Sequence, residues 1–205
     1  MKSLRLLAIA SLIDKGSSVL DVGTDHAYLP IFLSQNKKCK SIIASDVSSN
    51  ALKIAKDNLK KYHIDDVKLI LSNGLDSINE EYDTIVLAGM GTSTIIKILE
   101  NKKLPNTLII SSNNDLYKLR KFMNKIKYKI KEEIVILEKN KYYDIIKYQK
   151  GNEKLSYFKK MYGKSNEKKY YKYLLTKEKN IFKKVNLFKK LNLLKNIIYL
   201  YIKTI

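Results

Sequence analysis

One cysteine, two histidines, two prolines and seven glycines serve 205 residues, and each scarcity closes off a class of protein. With Cys39 alone there is no disulfide framework and no cysteine-built metal centre, so a reducing cytoplasm is the simple reading. Two histidines give little to build a metal site from. No metal is expected, and a hydrolase centre made of Asp25, His26 and His63 is the weakest reading of those residues. No uninterrupted apolar run is long enough to span a bilayer, and no membrane partner is expected. The opening MKSLRLLAIASLIDKG has the early basic charges of a leader, but its apolar run is too short and a strand pattern follows at once. A first amphipathic helix is expected instead, with Leu4, Leu7, Ala8 and Leu12 on one face.

Acid is the other shortage, and it is local. Lys and Arg number 40 against 20 Asp and Glu. Residues 1–104 hold 14 basic and 12 acidic side chains, whereas residues 105–205 hold 26 and 8. An AT-rich coding sequence would explain many lysines, but not why acids thin out in only one half. The excess suits a polyanion, and nucleic acid is the expected partner class.

What is present is alternation. Val19–Val22, Ser41–Ser45, Val67–Leu71, Thr84–Ala88 and Thr107–Ile110 read as buried strands, with helical patterns between most of them. Pro30 can stand only near the first turn of the helix after the first strand. Ser48 or Ser49 can cap the next helix, and Asp115 can cap a helix over Leu116–Ile126. Ile130–Leu137 and Tyr142–Tyr148 have no helix between them and suggest an antiparallel pair at one edge. The pattern predicts a doubly wound α/β sheet with ligands at the carboxyl ends of its strands. Gly151 marks the expected boundary between a domain over residues 1–151 and a basic helical domain over 152–205. After Gly163 there is neither glycine nor proline, and apolar residues from Ile181 to Ile205 recur every three or four. That is a long amphipathic helix or a helical hairpin.

Four strand ends carry something specific. Asp21-Val-Gly-Thr follows the first strand: Gly23 lets the backbone turn beneath a cofactor, and Asp21 can hold loop amides or a cofactor amine. Asp46, at the end of the second, stands where an acid accepts from both ribose hydroxyls. Asn73-Gly74 after the third could receive an adenine edge, and Ala88-Gly89-Met90 after the fourth is another place of close backbone approach. Singly, Asp46 could be only a helix-start acid and Asn73-Gly74 only a turn. Four in series are harder to dismiss. A glycine-rich dinucleotide fingerprint would place glycines where Asp25 and Ala27 stand, and Asp25 would repel a pyrophosphate. S-adenosyl-L-methionine has no phosphate and carries a cation, so this acidic loop suits it.

The segment Asp21-Val-Gly-Thr-Asp-His-Ala-Tyr-Leu-Pro30, with Asn73-Gly74-Leu75, Leu87-Ala-Gly-Met-Gly91, Asn113, Leu119-Arg120 and Tyr142-Tyr-Asp-Ile-Ile146, resembles the bacterial tRNA (adenine-N1)-methyltransferases of the TrmK type, which modify adenine 22. The likeness covers most of residues 4–182. It implies a Rossmann-like class I methyltransferase domain followed by a helical, coiled-coil-like domain. It also implies S-adenosyl-L-methionine as cofactor and tRNA, not DNA, as partner of a cytoplasmic monomer. Two departures are plain: Ser111-Ser112 replaces a Gln-Pro, and Thr92 replaces a second glycine after Gly-Met-Gly. Asp25, His26 and Tyr28 are the expected catalytic residues. Asp25 would face the cationic adenine and accept a proton from its exocyclic amine, His26 would orient that carboxylate, and Tyr28 would stack on or hydrogen-bond the base. Asn113 and Arg120 are expected at the substrate, and Lys164, Lys168 and Lys169 on its phosphates. Two other readings stand beside this one: methylation of another RNA position or a small molecule, and a non-catalytic RNA-binding protein on the same scaffold.

Overall fold

The computed structural model describes residues 3–165 and 167–205. It divides into two compact units, Met1–Lys154 and Leu155–Ile205. In the first, the Ser3 hydroxyl accepts from the Leu6 amide and starts helix α1 (Leu4–Leu12). Then follow strand β1 (Ser18–Val22), α2 (Tyr28–Gln35), β2 (Ser41–Asp46), α3 (Ser49–Lys61), β3 (Val67–Leu71), β4 (Thr84–Ala88), α4 (Thr92–Leu99), β5 (Thr107–Ser111), α5 (Leu116–Lys125), β6 (Tyr128–Glu138) and β7 (Lys141–Lys150). Local chemistry sets the helix bounds. Ser48 caps α3, Lys60 and Lys61 close it where the helix dipole favours cations, and Asp115 caps α5.

The seven strands form one sheet in the order β3-β2-β1-β4-β5-β7-β6. β1 to β5 are parallel, and β7 runs antiparallel to both β5 and β6. The expected pair β6–β7 does lie at an edge, but the later strand sits inside the earlier one. Its turn, Lys139-Asn140, takes φ of 49° and 60° at the two residues, the left-handed pair that a tight hairpin needs. Strand order reverses between β1 and β4, which makes the loops after these strands the natural ligand crevice.

Alternate side chains of the strands face opposite ways. Val19, Ile42, Val86, Ile109 and Ile145 share a core with Ile9, Leu12 and Ile13 at α1 and Leu29 and Leu33 of α2. Leu20, Ile43, Ile85, Leu87, Leu108 and Ile110 have the opposite parity and are at most 3% exposed. Burying each such side chain contributes about 1.5–3 kcal/mol. Both faces of the sheet are covered, as a parallel sheet requires.

The second unit is built from α6 (Tyr157–Tyr162), α7 (Lys168–Lys184) and α8 (Leu187–Thr204). Of the two alternatives in the sequence, the hairpin is what forms: the Asn186 side chain accepts from the Lys189 amide and starts a new helix without glycine or proline. Tyr162, Tyr171, Leu175 and Leu200 make its core, and Phe158 stacks on Tyr199 at 4.3 Å.

One expectation needs correction here. Arg120 was expected at the substrate, but its side chain is fully buried in α5. It is ion-paired with Glu133 of β6 and with Asp144 of β7, the latter at 3.1 Å. Burial works against the charge, yet the two carboxylates outweigh it and hold the guanidinium's pKa above its usual value. The arginine joins α5 to the edge hairpin and is not available to a ligand. Arg120→Ala would strip two nearly buried carboxylates of their arginine. Urea denaturation should show a loss of about 3–5 kcal/mol, and an unchanged midpoint would contradict this account.

Candidate active site

The chain leaves β1 at Val22 directly beside Ser45, its register partner on β2. The Ser45 carbonyl accepts the amides of both Gly23 (2.7 Å) and Thr24 (3.0 Å). One residue on, the Asp25 amide reaches Oδ2 of Asp46 at 3.4 Å, while Oδ1 of the same carboxylate accepts the Ser48 amide at 2.8 Å. One acid at the end of β2 therefore ties down both the loop after β1 and the start of α3.

That loop runs through the left-handed region at Gly23 (φ 77°), Asp25 (φ 45°) and Ala27 (φ 56°). The two positions where a glycine fingerprint would have glycines thus have the conformation glycine favours, without being glycine. Ala27 is fully buried and its amide bonds back to the Thr24 carbonyl at 2.9 Å. Asp25 points outward, its side chain 65% exposed, with Oδ2 3.3 Å from His26 Nε2. The His26 and Tyr28 rings stack with centroids 5.3 Å apart, and Tyr28 is 54% exposed. The structure brings Asp25, His26 and Tyr28 together, as expected from their sequence adjacency.

Beside this loop lies a cleft of about 450 Å³ walled by Gly23, Asp46, Asn73, Gly74 and Met90 among others. Two of its glycines have left-handed backbone, Gly23 at φ 77° and Gly74 at φ 61°, where a side chain would be strained and its neighbours would have to shift. A Cβ on Gly23 would stand 2.2 Å from Met90 Cε, and one on Gly74 would press against Ile98 at 3.1 Å. Asp21 lies beneath the loop, buried, with its Oδ2 taking the Thr24 hydroxyl at 2.8 Å. Burial pushes its pKa up to about 6, the Thr24 hydrogen bond pulls the other way, and the nearby Asp46 charge adds to the rise. Ala88 ends β4, and the Gly89 carbonyl accepts the Asn113 side-chain amide at 2.6 Å. Asn113 is thereby held at the ends of β4 and β5, while Lys164 precedes α7 and Lys168 and Lys169 open it, all in the second unit.

Some neighbours of the site were not anticipated. Lys97, Ile98 and Lys102 help to line the cleft, and Lys102 pairs with Asp76 at 2.6 Å. Arg5 of α1 reaches the ends of the central strands: it donates to the Ser111 carbonyl at 3.2 Å and lies 5.0 Å over the Tyr143 ring. Its signal in the sequence was faint, a single cation within an otherwise apolar helix. Thr92 and Ser112, both at positions where the chain departs from the pattern it resembles, meet each other at 2.8 Å through their hydroxyls. Among the described residues no group of three His, Cys, Asp or Glu could hold a metal ion, and no helix is long and apolar enough to cross a membrane.

Residues 2–146 match the family described as a methyltransferase domain. The tRNA (adenine(22)-N(1))-methyltransferase of Bacillus subtilis is 30% identical over 161 residues, 76% of this chain and 68% of its own. Mycoplasma capricolum TrmK, solved with its cofactor product S-adenosyl-homocysteine, superposes with a TM-score of 0.86 at 32% identity, covering 98% of this chain and 96% of that one. A Streptococcus pneumoniae protein solved with S-adenosyl-L-methionine gives 0.89 at 28% identity over the whole of both chains.

The Asp21 carboxyl has a pH signature. A carboxyl whose folded-state pKa lies above its unfolded value, 3.8 against about 6, stabilises the fold at low pH and loses that contribution as pH rises through about 6. The loss is at most about 3 kcal/mol. In Asp21→Asn this slope between about pH 4 and pH 6 should flatten relative to wild type, measured by urea denaturation at several pH values. Parallel pH profiles for the two proteins would show that Asp21 is not the buried acid described.

Proposed function

The chain belongs to the tRNA (adenine(22)-N1)-methyltransferase family, and from that membership we propose how its residues methylate N1 of an adenine in tRNA. S-adenosyl-L-methionine supplies an electrophilic methyl group on a sulfonium cation. The cleft fits such a group: Gly23 and Gly74 put no side chain on its wall, Asp46 offers a carboxylate, and Asp25 and Ala27 stand where a phosphate-binding loop would have glycines. Asp46 would accept from the ribose hydroxyls, Asn73 and Gly74 would meet the adenine edge, and Asp21 and the Ala88-Gly89-Met90 segment would face the amino-acid end. All these residues come from one chain, and we read the active unit as a monomer working in the cytoplasm.

The observation that carries the reading is the Asp46 carboxylate. It borders the cofactor cleft and also holds the amide of Asp25, so the acid that would meet the acceptor is positioned from the cofactor side. Adenine N1 sits on the Watson–Crick edge, so the base must be unpaired or turned out before its lone pair can attack. Methylation leaves a cationic adenine. Asp25 is placed to stabilise that charge and to accept a proton from the exocyclic amine, with His26 fixing its carboxylate and Tyr28 offering a ring to the base. Because Asp25 is mostly exposed in the free chain, its field becomes strong only when tRNA covers it. Asn113 would line the acceptor side. The phosphates would be held by the second unit, where residues 151–205 carry 15 basic and 3 acidic side chains. Lys168 and Lys169 stand in the first turn of α7, whose start the Glu167 carboxylate caps at the Lys169 amide, and they would meet phosphates through their own charge.

Two substitutions test these roles. Asp46→Ala should weaken S-adenosyl-L-methionine binding by roughly 1.5–3 kcal/mol in calorimetry, the worth of charge-assisted hydrogen bonds. Unchanged affinity in a folded protein would remove Asp46 from the cofactor site. Asp25→Asn keeps a side chain that tolerates the left-handed backbone. With both substrates saturating, its single-turnover formation of 1-methyladenosine should slow by roughly 10²-fold or more. A wild-type rate would reduce the loop to a cofactor cradle.

A further inference from the structure

Tyr28, Ile31, Phe32 and Gln35 follow one another at the spacing of a single face of α2. Together with Ser3 and Leu6 at α1 and Tyr62 just after α3, they line a groove of about 440 Å³. Its two tyrosines are exposed, Tyr28 by 54% and Tyr62 by 44%. None of its lining residues carries a charge. That excludes a phosphate or an acidic peptide as the preferred occupant. What remains suits a flat, apolar, hydrogen-bonding ligand: aromatic rings for its faces and the Gln35 amide for its edge, the Ser3 hydroxyl being engaged by Glu138 and the Leu6 amide. Cations stand outside the lining, since Lys60 and Lys61 directly precede Tyr62, and Lys37 follows Gln35 by two residues, all three exposed. Apolar aromatics within a groove and lysines outside it are the pattern by which proteins hold single-stranded nucleic acid.

The groove is continuous with the candidate active site, because Tyr28 belongs to both. Its ring lines the groove and also stacks on His26, whose imidazole contacts Asp25. Turning a base out of a folded RNA strips a stacking partner from its neighbour. An aromatic surface next to the acceptor loop can replace what that neighbour loses.

We propose that this groove, with Tyr62 as its outer wall, is a stacking site for the nucleobase adjoining the target adenine. The proposal rests on the reading of the chain as a tRNA methyltransferase. It adds a second nucleotide subsite whose work is to bind and position the RNA.

The test uses the full chain as wild type, Tyr62→Ala and Tyr62→Phe, with intact tRNA and with transcripts that lack the base on one or the other side of the target. Tyr62→Ala should raise the Kd for intact tRNA about tenfold. Its S-adenosyl-L-methionine affinity and its single-turnover rate at saturating tRNA should stay at wild-type levels. Tyr62→Phe, which keeps the ring, should bind as wild type does. One of the two abasic transcripts should cost the wild type the same factor and cost Tyr62→Ala almost nothing more, the non-additivity of two partners in one contact. Unaltered tRNA affinity in Tyr62→Ala, or an abasic penalty that persists in it undiminished, overturns the subsite while leaving the methyltransferase reading intact. So does a change in self-association on Tyr62→Ala with tRNA affinity unmoved, which would assign the groove to a second copy of the chain. A wild-type protein that forms no 1-methyladenosine in tRNA would fail the parent reading, and the subsite with it.

Discussion

The parallel register of β1 and β2 is the constraint from which the site follows. Because Val22 lies beside Ser45, the chain turning out of β1 finds the Ser45 carbonyl and the Asp46 carboxylate in the path of its first three amides. Those bonds fix where Gly23 turns, and so where the cleft wall stands against Met90. They also fix the direction in which Asp25 leaves. The same Asp46 carboxylate starts the ordering of α3 through the Ser48 amide. A change at the end of one strand would therefore move the cofactor wall, the exposed acid and a helix start together. This coupling is a set of local hydrogen bonds to one carbonyl and one carboxylate, and it needs no long-range network to transmit it.

The conformational cost of the loop is informative. Non-glycine residues at positive φ cost on the order of 1 kcal/mol or more each, and this loop has two within three residues, Asp25 and Ala27. Glycine at either position would relieve the backbone. At Ala27 the methyl group is buried against Ile31, Ala55 and Leu59, which offsets part of the cost through packing. At Asp25 nothing in the packing does, since the side chain points to solvent. Aspartate is one of the few residue types that visit this region readily, and His26 and the amide bond to Asp46 hold it there.

The parts of the fold that could be read from sequence are those whose signal is local. The central strands are short continuous apolar runs because both sheet faces are covered, and Ser48 and Asp115 announced their helices by the oxygen that caps them. The places of Asp21, Asp46, Asn73 and Gly89 at or just beyond strand ends were legible because the strands themselves were. What was not legible depended on partners distant in sequence. Nothing near Arg120 says that Glu133 and Asp144 will close around it, and an arginine next to a site motif reads as a ligand contact until they do. The order in which β6 and β7 join the sheet is equally non-local, as is the reach of Arg5 from α1 to Ser111. Thr92 and Ser112 looked like two separate departures from the pattern. Their hydroxyls meet, so the two are better understood together: threonine for a flexible glycine and serine for a rigid proline, joined by one hydrogen bond.

The distribution of charge has the same logic as the loop. The reaction passes from one cation to another, from sulfonium to methylated adenine, while the molecule that carries the acceptor is a polyanion. Carboxylates favour the first and repel the second. Asp21, Asp25 and Asp46 lie within one loop and one strand end of each other, in a chain whose formal charge is +20. At physiological ionic strength a field is screened over roughly 8 Å, so opposite requirements can be met by regions only a little farther apart than that. Along the sequence the two are segregated: acids and bases are nearly balanced through residue 104, and the lysine excess comes afterwards. A uniformly basic chain would hold tRNA as well but would oppose the cation formed at its adenine. A uniformly acidic one would do the reverse. The thinning of acids in only one half of the sequence suits a single chain that must attract a nucleic acid and stabilise a positive charge upon it.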